Sequence, residues 1–348
     1  MIEYRLKNKT PPKSVATQNP SSNQDFIQMG MPKSLFLPGS SYWKKKSSFS
    51  SKDSIVNFDN VLTSKKGSTI TLNATKNSLG SGIMLRGGTL RMSSKNDRFY
   101  IKSEGVSFAR ESGSSAAFLL QETSGKPSPI LDLGNGRNVI DTGHGWDNGI
   151  VIAGQLLSGT GNDFIRGFGK SSGISVGGLI STGAGHDIIE GSSEGSGGIG
   201  VGGRIEMGAG NDRLTGIAKT VDLSTGAIYS NGWIDMGDGN DKITGTSFMI
   251  NGGAVGQAKL VMGRGDDNLI ATLHHSNAPI DFGDGIDRLF LPSGQYEITD
   301  LGGGAYSLLS TGANQGVYGA EKISSLEFIV SKSTGAEYAF ATGTLTVA

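Results

Sequence analysis

A five-residue motif, G-x-G-x-D, recurs along the chain from residue 131 onward. Its last position is held first by an asparagine and then by six aspartates: Asn138, Asp163, Asp187, Asp212, Asp241, Asp267 and Asp287. The steps between these residues are 25, 24, 25, 29, 26 and 20. A repeat of this length is typical of stacked structural units, each of which buries its apolar face against the next. The motif therefore predicts a solenoid.

Apolar residues keep the same register as the motif. One aliphatic residue follows the fifth position by two places: Ile140, Ile165, Ile189, Leu214, Ile243, Leu269 and Leu289. Before the first glycine, apolar residues alternate with a residue that is often acidic, as in Leu131, Asp132 and Leu133. Alternation with period two indicates strands with one buried face. We predict an all-β fold, a parallel β-solenoid, with an extended N-terminal arm and a small β cap at the C-terminus.

Glycine is the compositional outlier. The 348 residues include 56 glycines, where average usage would give about 24. They fit tight turns, because glycine adopts positive φ without a Cβ clash. The chain has no cysteine, which excludes disulfides, thiolate metal sites and a cysteine nucleophile.

The aspartates of the motif predict a cation. Stacked coils would place them in one column, where carboxylates about 5 Å apart repel by roughly 3 kcal/mol at an effective dielectric of 20. Ca²⁺ would neutralise them, since it binds carboxylate and carbonyl oxygens. The alternative is that each aspartate caps its own turn through hydrogen bonds, without an ion.

The repeated stretches resemble the calcium-binding nonapeptide G-G-x-G-x-D-x-U-x of the repeats-in-toxin (RTX) family, in which U is a large aliphatic residue. Matching stretches include "SGTGNDFIR", "MGAGNDRLT" and "MGDGNDKIT". The resemblance implies Ca²⁺ between stacked turns, held by turn carbonyls and by Asp163, Asp187, Asp212, Asp241, Asp267 and Asp287. It adds Asp147, nine residues after Asn138. Two departures are the loss of the first glycine and the longer period, so we expect fewer ions per residue.

The C-terminal stretches "GQYEITDLGGGAYSLLS", "VYGAEKISSLEFIV" and "GTLTVA" resemble the closing module of many RTX proteins. That resemblance implies type I secretion, directed by a C-terminal signal. The N-terminus has no apolar segment typical of a cleavable signal peptide, which agrees with such a route. We therefore expect a secreted, extracellular or cell-surface protein, with a virion or other particle as the alternative location.

Composition divides the chain into four segments. Residues 1–53 hold nine Lys and Arg against three acids and predict an extended basic arm, either disordered or ordered on assembly. Residues 54–130 read as degenerate β coils that form an N-terminal cap, 131–290 as the G-x-G-x-D solenoid, and 291–348 as a C-terminal β cap. Residues 131–300 are acidic, with ten Lys and Arg against twenty acids. We expect the arm to bind another copy or a partner protein through Tyr42, Trp43, Lys44, Lys45 and Lys46.

These features favour a calcium-binding, non-enzymatic structural protein of a surface layer, matrix, filament or adhesin, which folds on Ca²⁺ after export and self-assembles. A glycan or the cell surface is a further expected partner; a nucleic acid and a membrane span are not expected. One alternative is a component of a virion or fibre anchored through residues 1–53. Another is a carbohydrate-active β-helix enzyme, although no separate acid and base pair stands out.

Overall fold

The computed structural model describes most of the chain from residue 89 onward. The described residues are 89–92, 95–103, 116–122, 124–125, 127–143, 147–195, 197–220, 226–252, 258–274, 276–312 and 318–348. Before residue 89 it describes the backbone of short strands alone. The described part contains no α-helix, and therefore no helix long and apolar enough to cross a bilayer.

The strands form three sheets, A, B and C, of 13, 9 and 13 strands. Sheet A contains β1 (Ile2–Glu3), β3 (Lys46–Ser51), β6 (Thr69–Ala74), β9 (Arg98–Ser103), β12 (Val139–Thr142), β15 (Phe164–Gly169), β18 (Ile188–Ser193), β21 (Arg213–Ala218), β24 (Lys242–Gly245), β27 (Asn268–Ile270), β29 (Arg288–Leu291), β33 (Phe328–Ser331) and β34 (Glu337–Ala339). Sheet B contains β2 (Gln28–Met29), β4 (Val56–Phe58), β7 (Ile83–Leu85), β10 (Ala116–Leu120), β13 (Asn148–Ile152), β16 (Ser172–Val176), β19 (Gly197–Val201), β22 (Ile228–Ser230) and β25 (Phe248–Ile250). Sheet C contains β5 (Leu62–Thr63), β8 (Thr89–Arg91), β11 (Ile130–Asp132), β14 (Gln155–Leu157), β17 (Leu179–Ser181), β20 (Arg204–Ala209), β23 (Trp233–Asp238), β26 (Lys259–Val261), β28 (Ile280–Asp281), β30 (Gly294–Gly302), β31 (Ala305–Ser310), β32 (Gly319–Ser324) and β35 (Gly343–Val347).

The chain visits the sheets in a fixed order, which makes the fold a three-sided parallel β-solenoid. One coil runs from β14 in sheet C to β15 in sheet A and β16 in sheet B, and β17 in sheet C then begins the next coil. Each strand pairs in parallel with its equivalent one coil away; β15, for example, pairs with β12 and β18. The predicted all-β parallel solenoid is confirmed.

Aliphatic ladders fill the interior, as the sequence periodicity predicts. On sheet A, Ile140 pairs with Ile165, Ile165 with Ile189 and Ile189 with Leu214. Their exposed fractions are 0 to 1%. On sheet C the acidic residues between buried aliphatics, such as Asp132 and Glu206, face outward and are half-buried. Each fully buried Leu or Ile stabilises the fold by about 1.5–3 kcal/mol, so every coil contributes to the core.

Glycines allow the sheets to approach closely at two corners. Where sheets A and B meet, a Cβ added to Gly167 would lie 2.3 Å from the Gly173 carbonyl oxygen. Where sheets B and C meet, a Cβ on Gly203 would lie 2.1 Å from the Gly178 carbonyl oxygen of the preceding coil. A non-bonded carbon and oxygen do not fit at such distances, so much of the glycine content serves tight corners rather than flexible segments.

The C-terminal end of the solenoid is closed by antiparallel strands. β32 pairs in parallel with β28 of the last coil, and β31, β30 and β35 then add to sheet C in antiparallel pairs. β34 adds to β33 in the same way on sheet A. Tyr296, Leu308 and Val347 are buried against the end of the core. The reversal of strand direction ends the coil path.

Sheet A continues through backbone pairs into the N-terminal segment. β3 pairs in parallel with β6, and β1 pairs in parallel with β3. Part of the segment that we interpret from composition as an arm is therefore a strand of the solenoid. Of the residues predicted to bind a partner, Tyr42, Trp43, Lys44 and Lys45 lie outside the described residues, while Lys46 begins β3.

Candidate functional site

The G-x-G-x-D motifs all lie at the corner where sheet C leads into sheet A, which we name the C–A corner. Both glycines of each motif from residue 134 to 285 have φ between 69° and 151°, in the region that favours glycine. A Cβ on Gly210 would lie 1.6 Å from the Gly185 carbonyl oxygen, and one on Gly239 1.7 Å from the Gly210 carbonyl oxygen. The glycine carbonyls thus point along the solenoid axis at the next turn, and no space remains between the turns for a side chain at these positions.

The fifth residues of the motifs form one buried column. Their exposed fractions are 0 to 2%, and the aspartates at this position are Asp163, Asp187, Asp212, Asp241, Asp267 and Asp287. In each step, a backbone N–H donates to Oδ1 of the aspartate in the next coil. The donors are Asn138, Asp163, Asp187, Asp212, Asp241 and Asp267, at 2.6, 2.7, 2.7, 2.7, 2.7 and 2.8 Å. One carboxylate oxygen per coil is therefore committed to the fold.

The second carboxylate oxygen of each aspartate is buried without a partner. Among the described residues none donates a hydrogen bond to Oδ2 of these six aspartates. A buried oxygen left in this way carries its full desolvation cost, and a charged one costs more. The column therefore contains a row of oxygens that need protons or a cation.

Asn138 shows what surrounds these oxygens. Its Oδ1 accepts the N–H of Asp97 at 2.9 Å, as the aspartates do in their own coils. Its amide nitrogen Nδ2 donates to three carbonyls: Gly134 and Gly136 of its own turn, at 3.2 and 3.3 Å, and Ser158 of the next coil, at 3.3 Å. Because the turns repeat, we infer that Oδ2 of each aspartate occupies the equivalent of this nitrogen position. A carboxylate oxygen would then face carbonyl oxygens.

Burial raises the pKa of every aspartate in the column. The pKa is raised to about 7 for Asp163, Asp212 and Asp267, to about 8 for Asp241 and to about 6 for Asp287. Burial likewise raises the pKa of Asp187. The backbone N–H bond to each carboxylate opposes the shift without cancelling it. Without a metal ion, the column thus disfavours ionised carboxylates, and a bound cation would favour them instead.

The residue before each aspartate forms a second, exposed ladder, which is not among the predicted sites. Its side chain accepts the N–H of the equivalent residue in the following coil, so this ladder runs opposite to the buried one. The acceptors are Asn162, His186, Asn211, Asn240 and Asp266, at 3.0, 2.8, 2.9, 3.0 and 3.0 Å. The signal that could have revealed it is the motif lettering "GND", "GHD" and "GDD".

The column extends at both ends beyond Asn138 and the six motif aspartates. Asp97, whose exposed fraction is 0%, precedes Asn138, and Glu327 follows Asp287, whose N–H donates to Glu327 Oε2 at 2.8 Å. Asp147, predicted as a metal ligand with the others, lies instead where sheet A leads into sheet B. Its backbone carbonyl accepts the N–H groups of Ser171 and Ser172. The structure does not bring Asp147 together with the column.

The arrangement suits a cation that binds mainly carbonyls. Within the described ranges, no three His, Asp or Glu side chains converge on one point. A cation lying between an aspartate Oδ2 and the carbonyls of the turn would meet one carboxylate oxygen and several backbone carbonyls, which are ligands that Ca²⁺ accepts. The residues therefore fit the predicted ion, with one carboxylate per coil.

No protein-family model matches the chain, and no curated protein or solved structure matches it either.

Proposed function

We propose that the chain is a calcium-binding structural protein of the cell exterior, in which Ca²⁺ bound along the C–A corner stiffens the solenoid. One observation carries the proposal: six buried Oδ2 atoms without partners stand where Asn138 directs an amide donor at three carbonyls. Either a proton or a cation can reconcile a carboxylate with those carbonyls. The repetition of the same arrangement coil after coil favours an ion.

Ca²⁺ fits the proposed site better than Mg²⁺. Ca²⁺ accepts six to eight oxygens in flexible geometry, whereas Mg²⁺ demands near-ideal octahedral geometry and usually retains several waters. The turns offer fixed carbonyls and little space for the waters that Mg²⁺ retains, because a Cβ on Gly265 would already lie 2.1 Å from the Gly239 carbonyl oxygen. The resemblance of the motif to the RTX nonapeptide supports the same ion.

The low charge of each site favours a calcium-rich compartment. Ca²⁺ affinity falls as fewer charged ligands contribute, and extracellular modules work at about 10⁻⁴–10⁻³ M. A site with one carboxylate per coil would remain empty at low Ca²⁺ and fill outside the cell. Ligand binding to the folded state alone then stabilises it by mass action. Folding on Ca²⁺ after type I export is the proposed sequence of events.

A structural role, rather than catalysis, agrees with the burial of the column. Aspartates exposed by at most 2% cannot reach a substrate. Self-assembly is part of the proposal, and it is supported by two strands at sheet edges, β35 in sheet C and β34 in sheet A. An edge strand presents unpaired backbone groups that can pair with another chain.

The test is calcium titration of the metal-free full chain. We expect isothermal titration calorimetry to detect several Ca²⁺ ions per chain and weaker uptake of Mg²⁺. Far-UV circular dichroism should show the β signal and the melting temperature rising with Ca²⁺. If the metal-free chain is fully folded and takes up no Ca²⁺, the aspartates are turn caps that hold protons, and the proposal fails.

A further inference from the structure

A groove on the outer face of sheet A lies apart from the aspartate column. It encloses about 430 Å³ and is lined by Tyr100, Asp141, Gly143, Arg166, Phe168 and Glu190, among others. This volume is at the lower end of the range of small-molecule sites, about 300–1,000 Å³. Gly143, which has no side chain, is one of the residues that line it.

The polar groups of the groove follow one row across three strands. Asp141 on β12, Arg166 on β15 and Glu190 on β18 are register partners, so their side chains stand side by side on the sheet. Arg166 Nε and Nη2 donate to the two oxygens of Asp141, at 2.9 and 2.7 Å. This paired geometry fixes the guanidinium in place. Arg166 is thereby held beside Glu190 rather than free to fold away.

Glu190 is the carboxylate of the row that holds no hydrogen bond among the described residues. It is half-buried, and its charge acts on the neighbouring Arg166 without the direct ion pair that Arg166 makes with Asp141. The Thr142 hydroxyl is already engaged, since it accepts the N–H of Phe168 at 3.0 Å. The phenyl ring of Phe168 supplies apolar surface on the strand next to Glu190, and the phenol of Tyr100 supplies it at the other end of the row, beside Asp141.

We propose that this groove binds a short neutral oligosaccharide. Carboxylates only accept hydrogen bonds and a guanidinium only donates them, so a row containing both suits a ligand whose groups do both, as hydroxyls do. Two carboxylates against one guanidinium leave the row with a net negative charge, which disfavours uronates and other anions. The aromatic walls match the apolar faces of a sugar ring.

The same geometry favours binding over hydrolysis. Glycoside hydrolysis by the usual route needs two available carboxyl groups, one on each side of the scissile bond. Both oxygens of Asp141 are held by Arg166, which leaves Glu190 alone. This inference is independent of the calcium proposal, because none of the groove residues belongs to the C–A corner.

The test uses the full chain with Ca²⁺ present and a panel of four-unit probes. The neutral probes are malto-, cello-, manno- and N-acetylchito-oligosaccharides, and the anionic probe is an oligogalacturonate. Calorimetry and saturation-transfer NMR measure binding. We expect at least one neutral probe to bind and the oligogalacturonate not to bind.

Three variants assign the binding to the groove. Phe168→Ala removes an aromatic wall and Glu190→Gln removes the acceptor charge at constant shape; each should weaken binding at least tenfold. Phe290→Ala is the matched control, because it removes a phenyl group from sheet A outside the groove and should change nothing. Circular dichroism confirms that each variant is folded. Binding of none of the neutral probes, stronger binding of the anionic one, or equal binding by Glu190→Gln and Phe290→Ala would each overturn the proposal.

Discussion

The C–A corner and the corner between sheets B and C both pack glycines closely between coils, but they differ in the other residues they contain. At both, carbonyls of one coil point at a glycine of the next, and a Cβ would lie within about 2 Å of an oxygen, as at Gly239 and Gly203. The C–A corner alone has both glycines at positive φ and a buried carboxylate in each motif from Asp163 onward. Close glycine packing is therefore a requirement of tight coils, whereas the aspartate marks the proposed ion site.

The largest effect should come from adding a methyl group at either corner. Gly239→Ala places a Cβ 1.7 Å from the Gly210 carbonyl oxygen at a φ of 145°, and Gly203→Ala places one 2.1 Å from the Gly178 carbonyl oxygen. We expect each to cost about 3 kcal/mol or more of the free energy of unfolding, with Gly239→Ala the worse because backbone strain adds to the clash. Thermal melting with Ca²⁺ measures this.

The control for these variants is Gly200→Ala, on an outer face where an added Cβ meets nothing within 4 Å. It should melt close to the original chain. If Gly239→Ala melted like Gly200→Ala, the packing that we describe at the C–A corner would be wrong.

The next effect should come from the buried aspartates, which distinguish the C–A corner from the corner between sheets B and C. Asp241→Asn copies the arrangement of Asn138, whose amide nitrogen donates to turn carbonyls. We expect the variant to be as stable as the original chain without Ca²⁺, or more stable by about 1 kcal/mol, because a donor replaces an oxygen without a partner. Ca²⁺ should stabilise the variant less than the original chain, since one site is lost. The melting temperatures of the two chains, plotted against Ca²⁺ concentration, should therefore cross.

Asp238→Asn is the matched control, because it removes the same charge from the same turn at a side chain that is 64% exposed. Its calcium response should equal that of the original chain. If both variants lost the same amount of stabilisation by Ca²⁺, the ion would respond to the overall negative charge of the turn rather than bind at a buried site.

A third effect is pH dependence. The pKa of Asp163 is raised to about 7 and that of Asp241 to about 8, against an ordinary aspartate value of 3.8. Between about pH 4 and pH 8 the unfolded chain has released protons that the folded chain retains. The metal-free chain should therefore be most stable below pH 4 and lose stability as pH rises to 8.

Ca²⁺ should abolish this loss, because the ion takes the place of the protons and is favoured as they leave. Melting temperatures from pH 4 to pH 8, measured on metal-free chain and at saturating Ca²⁺, test the prediction. A flat profile without Ca²⁺ would show that the column does not hold protons.

The smallest effect should come from the exposed ladder. Asn240 Oδ1 accepts the N–H of Asp266 at 3.0 Å on the solvent side of the turn. Asn240→Ala should cost about 0.5–1 kcal/mol, since water can satisfy the released N–H. Chemical denaturation with and without Ca²⁺ should give the same loss. A loss that appeared with Ca²⁺ alone would make Asn240 part of the ion site.

Sequence periodicity is sufficient to predict the solenoid and the buried column, because both repeat once per coil. Aliphatic residues at fixed offsets from each motif, such as Ile165 and Ile189, are identified as interior residues by their spacing alone. Asp97 can be assigned to an imperfect copy of the motif for the same reason. Spacing within a coil is less informative. Nine residues after Asn138 the chain has crossed sheet A, so Asp147 lies at a different corner.

Individual side-chain contacts between neighbouring coils were not predicted. The partners of Asn162 and Asn240 lie 24 and 26 residues away, and the recurring polar residue before each aspartate marks the ladder without showing which side chain accepts which N–H. The groove likewise combines residues of three strands, such as Asp141, Arg166 and Glu190, that are far apart in the sequence. Such features require the positions of side chains in adjacent coils, which the spacing of the repeat does not give.

The two ladders also set how this chain can vary in length. Asp212 and Asp241 are 29 residues apart and Asp267 and Asp287 are 20 apart, yet the N–H to Oδ1 distances are 2.7 and 2.8 Å. Because the C–A corner keeps a constant step, extra residues must leave the solenoid at the other corners. Loops of different size can therefore project from the solenoid at regular intervals, without any change in the spacing of the coils.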